Sequence, residues 1–250
     1  MEYPIIILHG WGATIKSYGR LKPLLEQGGN SVFVFDLPGF GKEALPPRAW
    51  SVGDYADWVE NKIREELDSR SRGNDNGSKF ILYGHSFGGR IAIKIAARRP
   101  EGLRGLILCD TAGVTPRPKT KIAIFSFLSK IGNVTFSLPS LKFLRPLARK
   151  FVYWLSGERD YHYLQGDVMR ETFRAVVSED LSSFLPKIHT PTMVVWGEKD
   201  RMTPLGDAYA INRGIAGSKL EILGKIGHNP HLETPEKLAA IVDKFIKELD

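Results

Sequence analysis

The sequence predicts an α/β protein built on a mostly parallel sheet of about six strands. Short apolar runs alternate with longer amphipathic ones along most of the 250 residues, the rhythm of strands joined by crossover helices. The short runs are near-continuously apolar rather than alternating, as strands covered on both faces are. With 42% hydrophobic and 25% charged residues, the chain can bury a sizeable core and is too apolar to be disordered.

Taken in order, the strands fall at Pro4–Leu8, Ser31–Phe35, Lys79–Tyr83, Leu103–Cys109, Thr192–Trp196 and Lys219–Leu223. Between them the helical spacing predicts Ser17–Gln27, Ser51–Leu67, Phe87–Arg99, Pro204–Ile215 and Pro235–Leu249. Several of these open on Ser or Pro, which suit a helix N-terminus. The rhythm breaks twice. Residues 69–78, SRSRGNDNGS, are polar and rich in turn residues and read as a surface loop. From Val114 to Leu185 the strands stop, helical segments take over, and four prolines punctuate them, with Pro186 just beyond. The expected organisation is a core of residues 1–113 and 186–250 with a helical insertion at 114–185.

Composition excludes several classes. A single cysteine, Cys109, rules out a disulfide framework and a cysteine-rich zinc site. The opening Met-Glu-Tyr-Pro lacks the basic and apolar regions of a signal peptide, and no apolar run reaches the ~18 residues of a membrane span. A soluble cytoplasmic protein is the expectation. The net charge of +7 is unevenly placed. Between Val114 and Gln165 stand nine basic residues and two acidic ones, while the rest of the chain balances at 26 against 26. A uniformly basic nucleic-acid binder does not look like this, and no nucleic-acid motif is present.

The segment Phe80-Ile-Leu-Tyr-Gly-His-Ser-Phe-Gly-Gly-Arg carries the most chemistry. It contains G-x-S-x-G at 84–88, between an apolar strand and a helical pattern, the context that gives this motif meaning. A sharp strand-to-helix turn would hold Ser86 in a strained conformation, with Gly84 and Gly88 needed because a Cβ would crowd the turn. The helix N-terminus would face charge developing near Ser86. Without that context the same residues are a glycine-rich turn with an incidental serine.

A nucleophilic serine needs a base. Of six histidines, His85 adjoins Ser86 on the wrong side of the turn, His9 ends the first strand, His162 lies in the insertion, and His189 precedes a strand at the opposite sheet edge. His228 follows the last strand on a loop at the correct edge; His231 shares that loop and reads as a surface histidine. For the orienting acid, Glu198 and Asp200 lie just past the fifth strand, with Asp110 at the end of the fourth as a rival. The order Ser86, Asp200, His228 satisfies the chain order expected on such a sheet. Oxyanion donors would be the backbone N–H groups of Phe87, after the nucleophile, and Trp11, in the Gly-flanked loop after the first strand.

These segments resemble the α/β-hydrolase-fold serine hydrolases, in the esterase and C–C hydrolase branch that begins H-G-x-G. The resemblance runs through HGWGA at 9–13, DLPGFGKE at 36–43, GHSFGG at 84–89, CDTAG at 109–113, WGEKDRMTP at 196–204 and GHNPHLETPE at 227–236. It implies Ser86 as nucleophile, His228 as base, Asp200 as acid, Trp11 and Phe87 at the oxyanion positions, and a helical cap at 114–185. It implies no cofactor, and the His and carboxylate spacings form no compact metal set. Two departures stand out. The family's first two strands, an antiparallel hairpin, precede the H-G loop, which here starts at residue 9. Glu43 stands where the family often has Ser. The Asp-nucleophile dehalogenase and epoxide-hydrolase relatives are disfavoured by Ser86.

The basic stretch of the insertion interleaves Lys142, Arg145, Arg149 and Lys150 with Phe143, Leu144, Leu147, Phe151, Tyr153 and Trp154. It reads first as apolar faces over the active site with solvated charges, next as contact with an anionic membrane surface, and third as an entrance that steers anionic substrates. The function expected is hydrolysis of carboxylic esters with a hydrophobic acyl or alkyl part. The alternatives are C–C cleavage of a dienoic diketo acid, and a non-enzymatic ligand receptor on the same scaffold. The sequence leaves oligomeric state open.

Overall fold

The computed structural model describes residues 3–70, 79–114 and 166–249. Most of the expected cap, including its basic stretch and His162, lies outside the described residues. Six strands form one sheet: β1 (Ile5–Leu8), β2 (Val32–Phe35), β3 (Phe80–His85), β4 (Leu103–Cys109), β5 (Thr192–Gly197) and β6 (Lys219–Leu223). Their order is β2-β1-β3-β4-β5-β6, and every neighbouring pair is parallel. Each strand lies within two residues of its expected span.

Strand geometry sends alternate side chains to opposite faces, and both faces are apolar. Ile6, Leu8, Leu82, Leu106, Leu108, Val194 and Trp196 enter one buried cluster. It is covered by α2 (Val52–Arg70), α3 (Phe87–Ala97) and α5 (Leu205–Gly214). Ile5, Ile7, Ile81, Tyr83, Ile107, Cys109, Met193 and Val195 enter the other. There α1 (Leu21–Gln27) and α7 (Pro235–Lys247) close over them. This two-sided burial is why the central strands read as unbroken apolar runs.

Local chemistry sets the helix ends. Ser51 and Asp54 form a reciprocal cap at the start of α2: the Ser51 N–H donates to Asp54 Oδ2 at 2.7 Å and the Asp54 N–H returns to Ser51 Oγ at 3.2 Å. The first expected helix differs from its reading. It divides into a 3-10 turn at Ile15–Tyr18 and α1, with Gly19 as the C-cap of the turn between them. Glycine weakens a helix interior, so the periodic pattern across it is cut.

The last part of the expected insertion is described. Helix α4 (Gly166–Ser178) and a 3-10 segment at Ser182–Lys187 return the chain to β5. They are pinned to the core beside the Ser86 turn. The buried Arg90 guanidinium, on α3, donates to the carbonyls of Val176 and Glu179 at 2.7 and 3.0 Å. Thr172 Oγ1 accepts the Trp50 N–H at 3.0 Å, and the Leu181 N–H reaches the Gly113 carbonyl at 2.8 Å.

Candidate active site

The parallel strands bring the motif residues to one sheet edge, where β1, β3, β4, β5 and β6 all end. Ser86 sits between β3 and α3 with φ 51° and ψ −110°, the strained left-handed turn expected of this motif. A Cβ on Gly88 would lie 2.1 Å from the Leu8 carbonyl oxygen, and one on Gly84 would lie 2.6 Å from the Gly88 carbonyl oxygen. Only glycine lets α3 start this close to β1.

Ser86 Oγ lies 3.0 Å from His228 Nε2, and His228 Nδ1 lies 2.7 Å from Asp200 Oδ2. The carboxylate accepts the Nδ1 proton, so Nε2 is left as the acceptor for the serine hydroxyl. Asp200 is fixed by further donors. Its Oδ1 accepts the N–H groups of Met202 and Thr203 at 2.7 and 3.0 Å, and its Oδ2 also accepts the Thr203 hydroxyl. Burial alone would raise this carboxyl. The bonds from His228 and Thr203 outweigh it and hold Asp200 below the ordinary carboxylate range.

Main chain sets the spacing between acid and base. The N–H groups of Glu198 and Lys199 donate to the carbonyls of Leu223 and Ile226 at 3.0 and 2.8 Å. A Cβ on Gly197 would sit 2.0 Å from the Gly227 carbonyl oxygen. The His228 loop is held from the other side too, since His85 Nε2–H donates to the His228 carbonyl at 2.7 Å.

The remaining candidates separate cleanly. Glu198 is exposed and accepts the Lys225 N–H at 2.8 Å, away from the histidine. Asp110 is buried with φ 42°, and its Oδ1 accepts the Gly197 N–H at 2.9 Å. Burial raises its carboxyl; the Gly197 bond opposes this, but the charge of Asp200 and a hydrogen bond to it carry the pKa up to about 9. His9 is a buried loop organiser: Nδ1–H donates to the Gly10 carbonyl at 2.8 Å and Nε2 accepts the Leu37 N–H at 3.0 Å.

His231 corrects its reading as a surface histidine. It is 1% exposed, in the one-turn helix α6 (Pro230–Glu233), and stacks on Tyr18 at 4.6 Å and 13°. Burial, with the nearby His228, lowers its pKa to about 4.

The loop after β1 lies against the Ser86 turn. A Cβ on Gly10 would be 3.4 Å from Ser86 Cβ. The Trp11 ring meets Phe40, Phe87 and Phe173 edge-on at 4.9, 5.1 and 5.0 Å, so the floor beside Ser86 is aromatic and α4 supplies one wall through Phe173. The backbones of Trp11 and Phe87 thus flank the serine.

Among the described residues, Asp110, Asp200 and His228 present metal-ligand atoms within 4.8 Å of one another. Asp200 meets four protein donors in that cluster, which suits a carboxylate that orients an imidazole. Two contributors were not singled out in the sequence. Thr203 is signalled by its Asp-x-x-Thr spacing, which lets a side chain close on the acid three residues back. The His85 donor bond carries no sequence signal, because its acceptor is a backbone carbonyl on another loop.

A profile of the alpha/beta hydrolase family matches residues 5–241. The chain belongs to the alpha/beta hydrolase family. It is 26% identical over 261 residues to a 2-hydroxymuconate semialdehyde hydrolase of Pseudomonas sp. strain CF600, covering 99% of this chain and 88% of that protein. An esterase of Exiguobacterium antarcticum superposes with a TM-score of 0.70 at 26% identity, over 98% of this chain and 92% of that one. A thermophilic esterase of Thermogutta terrifontis gives a TM-score of 0.71 at 22% identity, over 100% and 91%. The six-stranded parallel sheet and the Ser86 turn are thus those of an α/β-hydrolase. No helix among the described residues is long and apolar enough to cross a membrane.

Proposed function

We propose that this alpha/beta hydrolase cleaves carboxylic esters with a hydrophobic acyl or alkyl part through an acyl-enzyme intermediate. The observation that carries the reading is the unbroken hydrogen-bond line Ser86 Oγ, His228 Nε2, His228 Nδ1, Asp200 Oδ2, at 3.0 and 2.7 Å. Ser86 is the nucleophile, His228 the base and Asp200 the acid. Ser86 Oγ attacks the ester carbonyl while His228 Nε2 takes its proton. Asp200 holds the imidazole in the required tautomer and stabilises the imidazolium. The backbone N–H groups of Trp11 and Phe87 receive the developing oxyanion. Collapse expels the alcohol, which takes the proton from His228. Water then attacks the acyl group with His228 again as base, and the acid is released. The aromatic floor of Trp11, Phe40, Phe87 and Phe173 supports an apolar substrate part. The mechanism needs no cofactor.

A second reading, C–C cleavage of a dienoic diketo acid, is favoured by the similarity to the 2-hydroxymuconate semialdehyde hydrolase. The two readings part on substrate. Ser86→Ala is expected to lower turnover of short p-nitrophenyl esters by at least about a thousandfold; undiminished turnover sinks the ester reading. Rapid consumption of a dienoic diketo acid alongside inert esters favours the second. The same ester panel with and without anionic vesicles tests whether the basic stretch between 114 and 165 meets a membrane surface; an unchanged rate argues that it does not.

A further inference from the structure

The geometry points to Asp110 as a fourth, positioning member of the site: a carboxyl that keeps its proton and gives it to Asp200, holding that carboxylate against His228. The inference rests on the hydrolase reading of the Ser86–His228–Asp200 line. It deepens that reading by adding a residue that never touches substrate.

Asp110 and Asp200 bring carboxyl oxygens within 4.8 Å of each other away from solvent, and two carboxyls that close cannot both ionise without strong repulsion, so one keeps a proton. The donor count decides which. Asp200 accepts four protein hydrogen bonds, from the Met202 and Thr203 N–H groups, the Thr203 hydroxyl and His228 Nδ1. Asp110 accepts one of ordinary length, from the Gly197 N–H, and a long contact of 3.5 Å from Cys109 Sγ. The negative charge settles where the donors are. The proton stays on Asp110, whose Oδ1 is committed to Gly197 and whose second oxygen is free to donate.

The backbone prepares this placement. Asp110 adopts a left-handed φ of 42°, and Thr203 Oγ1, whose proton goes to Asp200, packs 3.2 Å from its carbonyl oxygen. The Asp110 N–H donates to the Val195 carbonyl at 3.1 Å. Asp110 is therefore tied through both backbone and side chain to β5, which leads directly into the loop that carries Asp200. The titratable groups facing it are Asp200 from that loop, His228 from the loop after β6, Cys109 on its own strand and Tyr83 on β3. Cys109 and Tyr83 are both held neutral by burial. Among the described residues, the charge that raises the Asp110 pKa is thus that of the carboxylate it serves.

The consequence appears at alkaline pH. Once Asp110 loses its proton, near pH 9, it no longer donates, and two carboxylates face each other beneath His228. The orientation of Asp200 and with it the His228 tautomer are then lost, so kcat falls while KM holds.

The test compares the full-length protein with Asp110→Asn and Asp110→Ala. Asparagine keeps an acceptor for Gly197 and presents a permanent N–H donor to Asp200. Alanine keeps neither. On p-nitrophenyl butyrate, Asp110→Ala is expected to lose about tenfold to a hundredfold in kcat at pH ~7 with KM little changed, and Asp110→Asn to recover most of that loss. The wild type is expected to lose kcat above about pH 9, reversibly and with its far-ultraviolet spectrum intact, and Asp110→Asn to stay level. Superimposable pH profiles for wild type and Asp110→Asn, or an undiminished kcat in Asp110→Ala, overturn the assignment. If Asp110→Ala does not fold, or if no ester is turned over, the downfield proton resonance of His228 Nδ1 decides. It should shift with a midpoint near pH 9 in the wild type and not in Asp110→Asn. A wild-type resonance without that step overturns the Asp110 role, whereas inert esters alone overturn only the ester reading.

Discussion

At the scale of single residues, the site works by commitment of hydrogen-bonding atoms. Asp200 gives one oxygen to backbone donors and shares the other between Thr203 and His228, so neither the carboxylate nor the imidazole has freedom to turn. Asp200→Asn keeps the shape but removes the charge and offers an N–H where His228 needs an acceptor. It is expected to lower kcat on esters by about 10³–10⁴-fold with the fold retained, measured by steady-state kinetics and circular dichroism. This line was legible in the sequence, since G-x-S-x-G, Asp and His each fall just past an apolar run in the right order. Chain order fits Asp110 as well as Asp200, since both lie between Ser86 and His228, and only the resemblance of WGEKDRMTP at 196–204 singles out Asp200. What separates them physically is the number of donors each meets, and that depends on how the loop around Thr203 folds. His231 was misread for a related reason: its partner Tyr18 comes from the far end of the chain, and spacing within one loop says nothing of such a contact.

At the scale of elements, the strands were the most legible because two-sided burial writes itself as an unbroken apolar run. Helix limits were less so. Ser17–Gln27 carried a helical pattern that Gly19 divides, and α2 runs to Arg70, past its expected end at Leu67. The junction between α4 and α3 could not be read at all, since it rests on Arg90 reaching two backbone carbonyls, with the Lys94–Glu179 ion pair beside it. Arg90 places its cation at the C-terminal end of α4, where the helix dipole favours positive charge. Arg90→Met fills similar volume but leaves the Val176 and Glu179 carbonyls without this donor. A stability loss of about 3 kcal/mol is expected, read as a lower urea midpoint. Because Phe173 on α4 forms a wall of the aromatic floor, the same variant is expected to raise KM for apolar esters.

At the scale of the whole molecule, the formal charge of +7 sits in the stretch between 114 and 165, and the remainder is balanced. The core has its own response to acid. His231 titrates at 6.5 when unfolded and at about 4 when folded, because burial disfavours its charged form. A base whose pKa falls on folding stabilises fully above the unfolded value and loses that contribution as pH drops from 6.5 to about 4. The shift corresponds to about 3 kcal/mol. Burial lowers the pKa of His85 and His9 as well, so both add in the same direction. His231→Phe keeps a ring against Tyr18 and removes the titration. Urea unfolding at about pH 7 and about pH 4 is expected to show a smaller acid loss in the variant, by about 3 kcal/mol.

The close approach of Gly197 to the Gly227 carbonyl, with the backbone bonds beside it, bears on how such an enzyme diversifies. Acid and base are spaced by main chain, the part of a protein that side-chain replacement alters least. The surfaces that meet a substrate are made of side chains, among them Trp11, Phe40 and Phe173. Inheritance can therefore exchange the molecule that is cut while passing on the cutting geometry unaltered. Novelty accumulates on one side of the serine and fidelity on the other.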